Sequence, residues 1–361
     1  MAFDKTWEGA DGTVVTDLLD YENWQPMSLV NATFKWTQSP ATATEYYLEL
    51  AGGGDPGIPE PPAVLEAGAE MAAGTVGSLA AGEWDFGDND SLGYSTIYVR
   101  LDAAADPDSQ IEAFVQLRDI PRTGDSVRVP PGSGAITTNT DISSTTLVDW
   151  IVEEGFSNAI GSPENYCRIK ITGQFRVHSQ AVAYFDLSDS SVSPIIQNTG
   201  PAGFGTVGLE LIGSALATVT QEAGSLGISN RHGKSATVAT FRQRGGSAIL
   251  GADLVLTTGV KESGTLTQRC NATTVTNYKG RWRTEEAAAN TTVNVEGGEF
   301  IHESTGTDGT VNANAGLYDL VRGAATTVEQ AKGATVIERA AAAIGTHNLP
   351  AAPMQVTVSA V

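Results

Sequence analysis

From about residue 200 onward, apolar residues come in short runs that alternate with polar ones, and glycines punctuate the runs. Alternation over four to eight positions marks a half-buried strand, whereas an amphipathic helix needs apolar positions three and four apart. Nothing between 200 and 320 has the helical spacing. Six segments share a Thr or Gly near a valine and a turn glycine four to eight positions later: ATVTQEAG, ATVATFRQRG, TTVTNYKG, TTVNVEGG, GTVNANAG and TTVEQAKG. Their valines are Val219, Val238, Val275, Val293, Val311 and Val328, evenly spaced except for one double gap between Val238 and Val275. LVLTTG fills that gap and puts Leu256 midway across it. The period is about 18 residues over seven repeats.

A β-branched residue returning once per period predicts an all-β chain built around a parallel β-helix with coils of about 18 residues. Each coil stacks on the last, so one phase of the repeat becomes a ladder pointing into a continuous core. The expected ladder is Val219, Val238, Leu256, Val275, Val293, Val311 and Val328 in one inward line. Upstream, residues 123–161 have strand-like runs between Pro, Gly and Ser clusters and are expected to supply opening coils. YCRIKITGQFRVHSQAVAYFDL (166–187) alternates, with Ile169, Ile171, Phe175 and Val177 expected inward. The N-terminal third differs. Around the Gly- and Pro-rich GGGDPGIPEPP stand strand-like EYYLEL, AVLEAG, STIYVRL and QIEAFVQL, which predict a small antiparallel β module.

The expected organisation is an N-terminal arm and cap (1–36), an inserted β module (37–118), opening coils (119–199), the repeats (200–339) and a C-terminal tail (340–361). Only 328–345 has the Ala, Glu and Lys content of a helix, although TTV starts it as another coil. TNYKGRWRTEEAAANT replaces an expected turn with charged residues and predicts a surface elaboration.

Acidic residues outnumber basic ones 42 to 21, a net charge of -21 that disfavours nucleic acid and anionic membrane as partners. No apolar run approaches the roughly 20 residues that span a bilayer. The start MAFDKTWEGADG has neither the basic nor the apolar region of a signal peptide. Cys167 and Cys270 are isolated, which fits small core residues better than a disulfide framework or a metal motif.

Candidate chemistry is sparse. SNRHGKS (229–235) is preceded by Gly227, but Gly227 to Gly233 encloses five residues where a phosphate-binding loop needs four, and the segment reads as a basic turn between coils. DFGDND groups Asp85, Asp88 and Asp90 without the closing glutamate of a calcium loop. Glu296, Glu299 and Glu303, beside His302, are the acids to weigh for glycan cleavage, which needs two carboxylates about 5 to 9.5 Å apart. The four histidines are dispersed, and neither His-Glu-x-x-His nor Gly-x-Ser-x-Gly occurs. The expectation is a non-enzyme with no catalytic residues, cofactor or metal. Trp7, Trp24, Trp36 and Trp84 are expected to cap the first coil or to form a partner face.

Trp7-Glu8-Gly9 followed by Asn23-Trp24-Gln25-Pro26, and the phrase Gly124-Asp125-Ser126-Val127-Arg128-Val129-Pro130-Pro131-Gly132, resemble phage virion proteins with parallel β-helix bodies. The resemblance implies a bacteriophage structural protein on the capsid exterior, a decoration or head-fibre protein made in the host cytoplasm and incorporated into the virion. It implies self-association, as a homotrimer, and contact with the major capsid protein. The alternative is a tail spike or tail fibre that binds host surface glycans, with or without glycan-cleaving activity. Residues 37–118 separate phrases that lie close together in similar proteins, and so look like an insertion that meets another virion protein or a sister subunit.

Overall fold

The structure is a computed structural model that describes residues 4–7, 24–25, 27–28, 35–50, 60–87, 95–109, 115–118, 120–190, 192–198, 209–229 and 233–350. The chain divides into two compact units, Met1–Ser126 and Val127–Val361.

In the second unit, a parallel β-solenoid of about nine turns with about 18 residues per coil, each strand pairs with the strand one coil later. Leu254–Lys261 and Thr265–Gln268 stack on Ala236–Gln243 and Ser247–Leu250; Ala272–Asn277 and Arg281–Thr284 stack on them in turn. Burial alternates along the longer strand but slips at Ala239-Thr240 and again at Thr257-Thr258, where two neighbouring side chains both avoid the core. Strands cannot turn two successive side chains outward without bending. Each regular coil therefore has three short faces: a first (236–238), a second (240–243) and a third (247–250).

A glycine ends the second face in every regular coil. Gly246, Gly264, Gly280, Gly298, Gly316 and Gly333 all have positive φ, between 67° and 97°. A Cβ on Gly298 would lie 2.4 Å from the Gly280 carbonyl oxygen, and one on Gly316 would lie 2.4 Å from that of Gly298. Conformation and space both demand glycine at all of these but Gly333, where conformation alone does.

All seven residues of the expected ladder are buried. Five of them stand on one line, in the order Val219, Phe241, Gly259, Val275, Val293, Val311, Val328. Val238 and Leu256 belong to a second line, between Leu216 and Ala272, on the first face. The single ladder is thus two. Coil length varies: the step from Val219 to Phe241 is longer than the step from Val275 to Val293, and that from Gly259 to Val275 is shorter, so a constant period slides off the true register.

Three further expectations change. Residues 328–345 are not helical: Leu317–Gln330 and Thr335–Asn348 pair in parallel, because a free ladder edge outweighs the helix propensity of an Ala-rich segment. Residues 340–348 consequently belong to the last coil rather than to a tail. TNYKGRWRTEEAAANT holds an ordinary coil, with Trp282 and Thr284 inward and Arg281 and Arg283 outward.

The opening coils are longer. Val127 pairs with Trp150 and Trp150 with Phe175, and both steps exceed the one that carries Val275 to Val293. Ile169, Ile171, Phe175 and Val177 are buried, as are Cys167 and Cys270.

The first unit contains a four-stranded antiparallel sheet and a five-stranded sheet, the latter antiparallel except where Ala72–Ala73 pairs with Glu83–Gly87. Tyr46–Glu49, Ala63–Glu66, Thr96–Arg100 and Val115–Arg118 fall on the strand-like segments. Trp36, Leu48, Val64, Trp84, Ile97 and Val99 share its core.

Candidate functional site

Where the second face turns into the third, Gln221, Gln243, Lys261 and Asn277 occupy successive coils, each fully buried. Their side-chain nitrogens serve the turns: Gln243 Nε2 donates to the carbonyls of Gly246 (3.2 Å) and Thr265 (2.9 Å), and Asn277 Nδ2 to those of Gly297 (3.1 Å) and Glu299 (3.0 Å). Lys261 Nζ donates to Asn277 Oδ1 at 3.1 Å and to the Lys279 carbonyl. Burial pushes its ammonium down to about 8.

A second buried polar string crosses the later coils. Trp282 Nε1 donates to Gln268 Oε1 (2.9 Å), Gln268 Nε2 to Asn290 Oδ1 (2.8 Å) and Asn290 Nδ2 to Asp308 Oδ1 (2.9 Å). Tyr318 OH donates to Asp308 Oδ2 at 3.0 Å, and His302 Nδ1 lies 2.9 Å from the same oxygen. Burial, then the Asp308 charge, holds the Tyr318 hydroxyl well above its usual range. His302 and Asp308 have no exposed surface, so no substrate can touch them in this conformation. The string fastens coil to coil.

The acids singled out in the sequence do not converge. Glu296 accepts from Asn314 Nδ2 (2.8 Å), Glu299 faces Arg281 (2.8 Å) and Glu303 faces Arg283 (2.8 Å), while His302 points inside. Of SNRHGKS, residues 230–232 lie outside the described residues; Gly233 has φ +74° and the strand Ala236–Gln243 follows, not the helix that a phosphate loop requires. Asp88 and Asp90 also lie outside the described residues, and Asp85 accepts from the Val76 and Phe86 amides at 2.9 Å. Among the described residues no group of three His, Cys, Asp or Glu could hold a metal.

The four tryptophans are buried: Trp7 and Trp24 pack edge-to-face at 5.2 Å, and Trp36 and Trp84 sit in the N-terminal core. A partner face would need exposed rings, which these do not present.

On the outer surface of the coils, one row stands out. Thr218, Thr240, Thr258, Thr274, Thr292, Thr310, Thr327 and Thr346 follow one another in register, one per coil, on the second face. In five of the seven repeats this is the threonine next to the ladder valine, so the repeated phrase itself carries the signal. Beside it, on the first face, lies an open groove of about 670 Å³ lined by Leu254, Val255, Asn271, Thr273, Thr291 and Gly309 among others. The third face is charged in its later coils, with Arg281–Glu299 and Arg339–Asp319 pairs across neighbouring coils, while its earlier rungs 247–250 and 265–268 carry no charge.

These features define a parallel β-solenoid whose interior is fastened and whose outer faces differ in charge. Scans against protein-family models, curated proteins and solved structures return no match for this chain.

Proposed function

We propose that this chain is a structural virion protein of a bacteriophage, displayed on the capsid exterior as a decoration or head-fibre protein. It associates with copies of itself, as a homotrimer, and attaches to the major capsid protein. The observation that supports this most is the parallel stacking of strand on strand through the described residues from Val127 to Asn348, which suits a stiff spacer, on which Glu296, Glu299 and Glu303 do not converge. A spacer needs no chemistry, and Glu299 and Glu303 are held by arginines. Gold labelling of purified particles tests the reading: label on heads is expected, and label confined to tail tips would replace it with the tail-fibre reading. That second reading, binding of host glycans, draws on the uncharged groove beside the threonine row.

A further inference from the structure

The corner between the first and second faces differs from the rest of the solenoid surface. Across its eight rungs in register (216–221, 236–243, 254–261, 272–277, 290–295, 307–313, 324–330 and 341–348) there are four charged residues: Lys261 and Asp308 are buried, and Arg242 and Glu329, on the outer line of the second face, reach the surface. The turns and the later rungs of the third face carry many more charges, so this is a charge-poor strip running the length of the regular coils. The two most exposed large apolar side chains among the described residues flank it: Val255, 63% exposed, on the first face, and Tyr278, 53% exposed, just past the end of the second.

We infer that this strip is the surface by which copies of the chain associate. The inference rests on the self-association in the proposed function and names the face that performs it. Away from the strip the coils carry Arg–Glu and Arg–Asp pairs whose burial in a contact would cost desolvation, so a contact between copies favours the surface poorest in charge. Depletion of charge at the centre, with exposed apolar side chains, is also how the core of a protein interface differs from other surface. The size fits. Eight rungs at about 4.8 Å and two faces of about seven residues together, at about 3.3 Å each, give a patch of about 800 Å². That matches the roughly 800 Å² that each partner contributes to a standard interface. A neutral polysaccharide is the other occupant such a strip could take, but exposed aromatic platforms are few, since Tyr278 alone flanks it among the described residues.

The test uses the full chain. Sedimentation at micromolar concentration is expected to show an oligomer, and Thr292→Arg to weaken association at least 100-fold, while Thr267→Arg on the third face leaves it unchanged. Circular dichroism verifies that both variants fold. In a second measurement, Thr292→Cys is expected to cross-link between copies through a short bis-maleimide and Thr267→Cys is not; the native cysteines are buried. A monomeric wild type, an oligomer indifferent to Thr292→Arg, or a monomer that binds dextran through the strip would each overturn the inference. Particle labelling fails or succeeds separately, because it reads location and not the contacting face.

Discussion

Among the described residues between Trp150 and Leu211 the buried side chains are mostly rings and branched chains, with Ser179, Ser190 and Glu210 buried among them: Phe175 and Phe185 meet edge-to-face at 5.0 Å, and Trp150 lies 6.4 Å from Phe185. From Gln243 to Tyr318 the same interior is threaded by Lys261, Gln268, Asn277, Asn290, His302 and Asp308. Coil length separates the two regions. The steps from Val127 to Trp150, Trp150 to Phe175 and Phe185 to Leu211 are longer than those of the later coils, and Trp150, Phe175 and Phe185 are buried there. Shorter steps, such as Gly259 to Val275 and Val275 to Val293, bring a partner from the neighbouring coil to nearly every position. A buried polar group costs stability unless it is bonded. Regular stacking supplies the bond, because a donor in one coil meets a carbonyl or amide of the next at a fixed spacing. The early coils should therefore be vulnerable to lost volume and the later ones to lost partners.

The largest effect should come from Val293→Asp, which puts an unpaired carboxylate in a wholly buried site and costs about 4 kcal/mol or more, read from the urea midpoint. Asp308→Ala and Phe175→Ala should each cost about 3–5 kcal/mol but by different routes. The first strands Asn290, Tyr318 and His302; the second opens an apolar cavity. Xenon or benzene should recover stability in Phe175→Ala and not in Asp308→Ala. Equal recovery in both would dissolve the contrast between the regions.

Lys261 sharpens the contrast through pH. Its proton is held less tightly in the folded chain, at about 8, than in the unfolded chain, at about 10.4. Between these values the unfolded state binds more protons, so stability should rise with pH across that window, by on the order of 3 kcal/mol. Lys261→Gln restores the residue found in the same row at Gln221 and Gln243; it should flatten that rise and stabilise the chain at pH 7. A wild-type and variant difference that is constant from pH 7 to 10.5 would refute the assignment. Smaller still, Gly298→Ala should cost about 2 kcal/mol or more, since strain adds to the clash with the Gly280 carbonyl. Gly132→Ala, where φ is +85° but space is open, should cost only about 1 kcal/mol.

Much of this architecture is legible in the residues. The strands, the coil length and the inward valines follow from alternation and β-branching, which are local. Register is not local. Val275, Val293, Val311 and Val328 each stand five places before a turn glycine, whereas Val238 and Leu256 stand eight before Gly246 and Gly264. Phe241 and Gly259 hold the five-place position in those coils, so glycine spacing identifies the line that valine spacing misses. The Ala-rich 328–345 misleads because propensity counts only a segment's own residues, not the open edge waiting beside it. His302 and Glu303 are neighbours in sequence and opposite in direction, as alternation requires of a strand. The tryptophans are ambiguous because a cap and a partner face call for the same residue type.

The column of left-handed glycines also makes the length of the protein adjustable. Each column member repeats the same exit from one coil and the same seat for the next, so a duplication of 281–298 begins and ends on equivalent backbone. Such an insertion alters no existing turn and adds about 4.8 Å. Growth in fixed increments lets the stack act as a ruler, with reach set by how many coils a gene encodes while both ends stay unchanged.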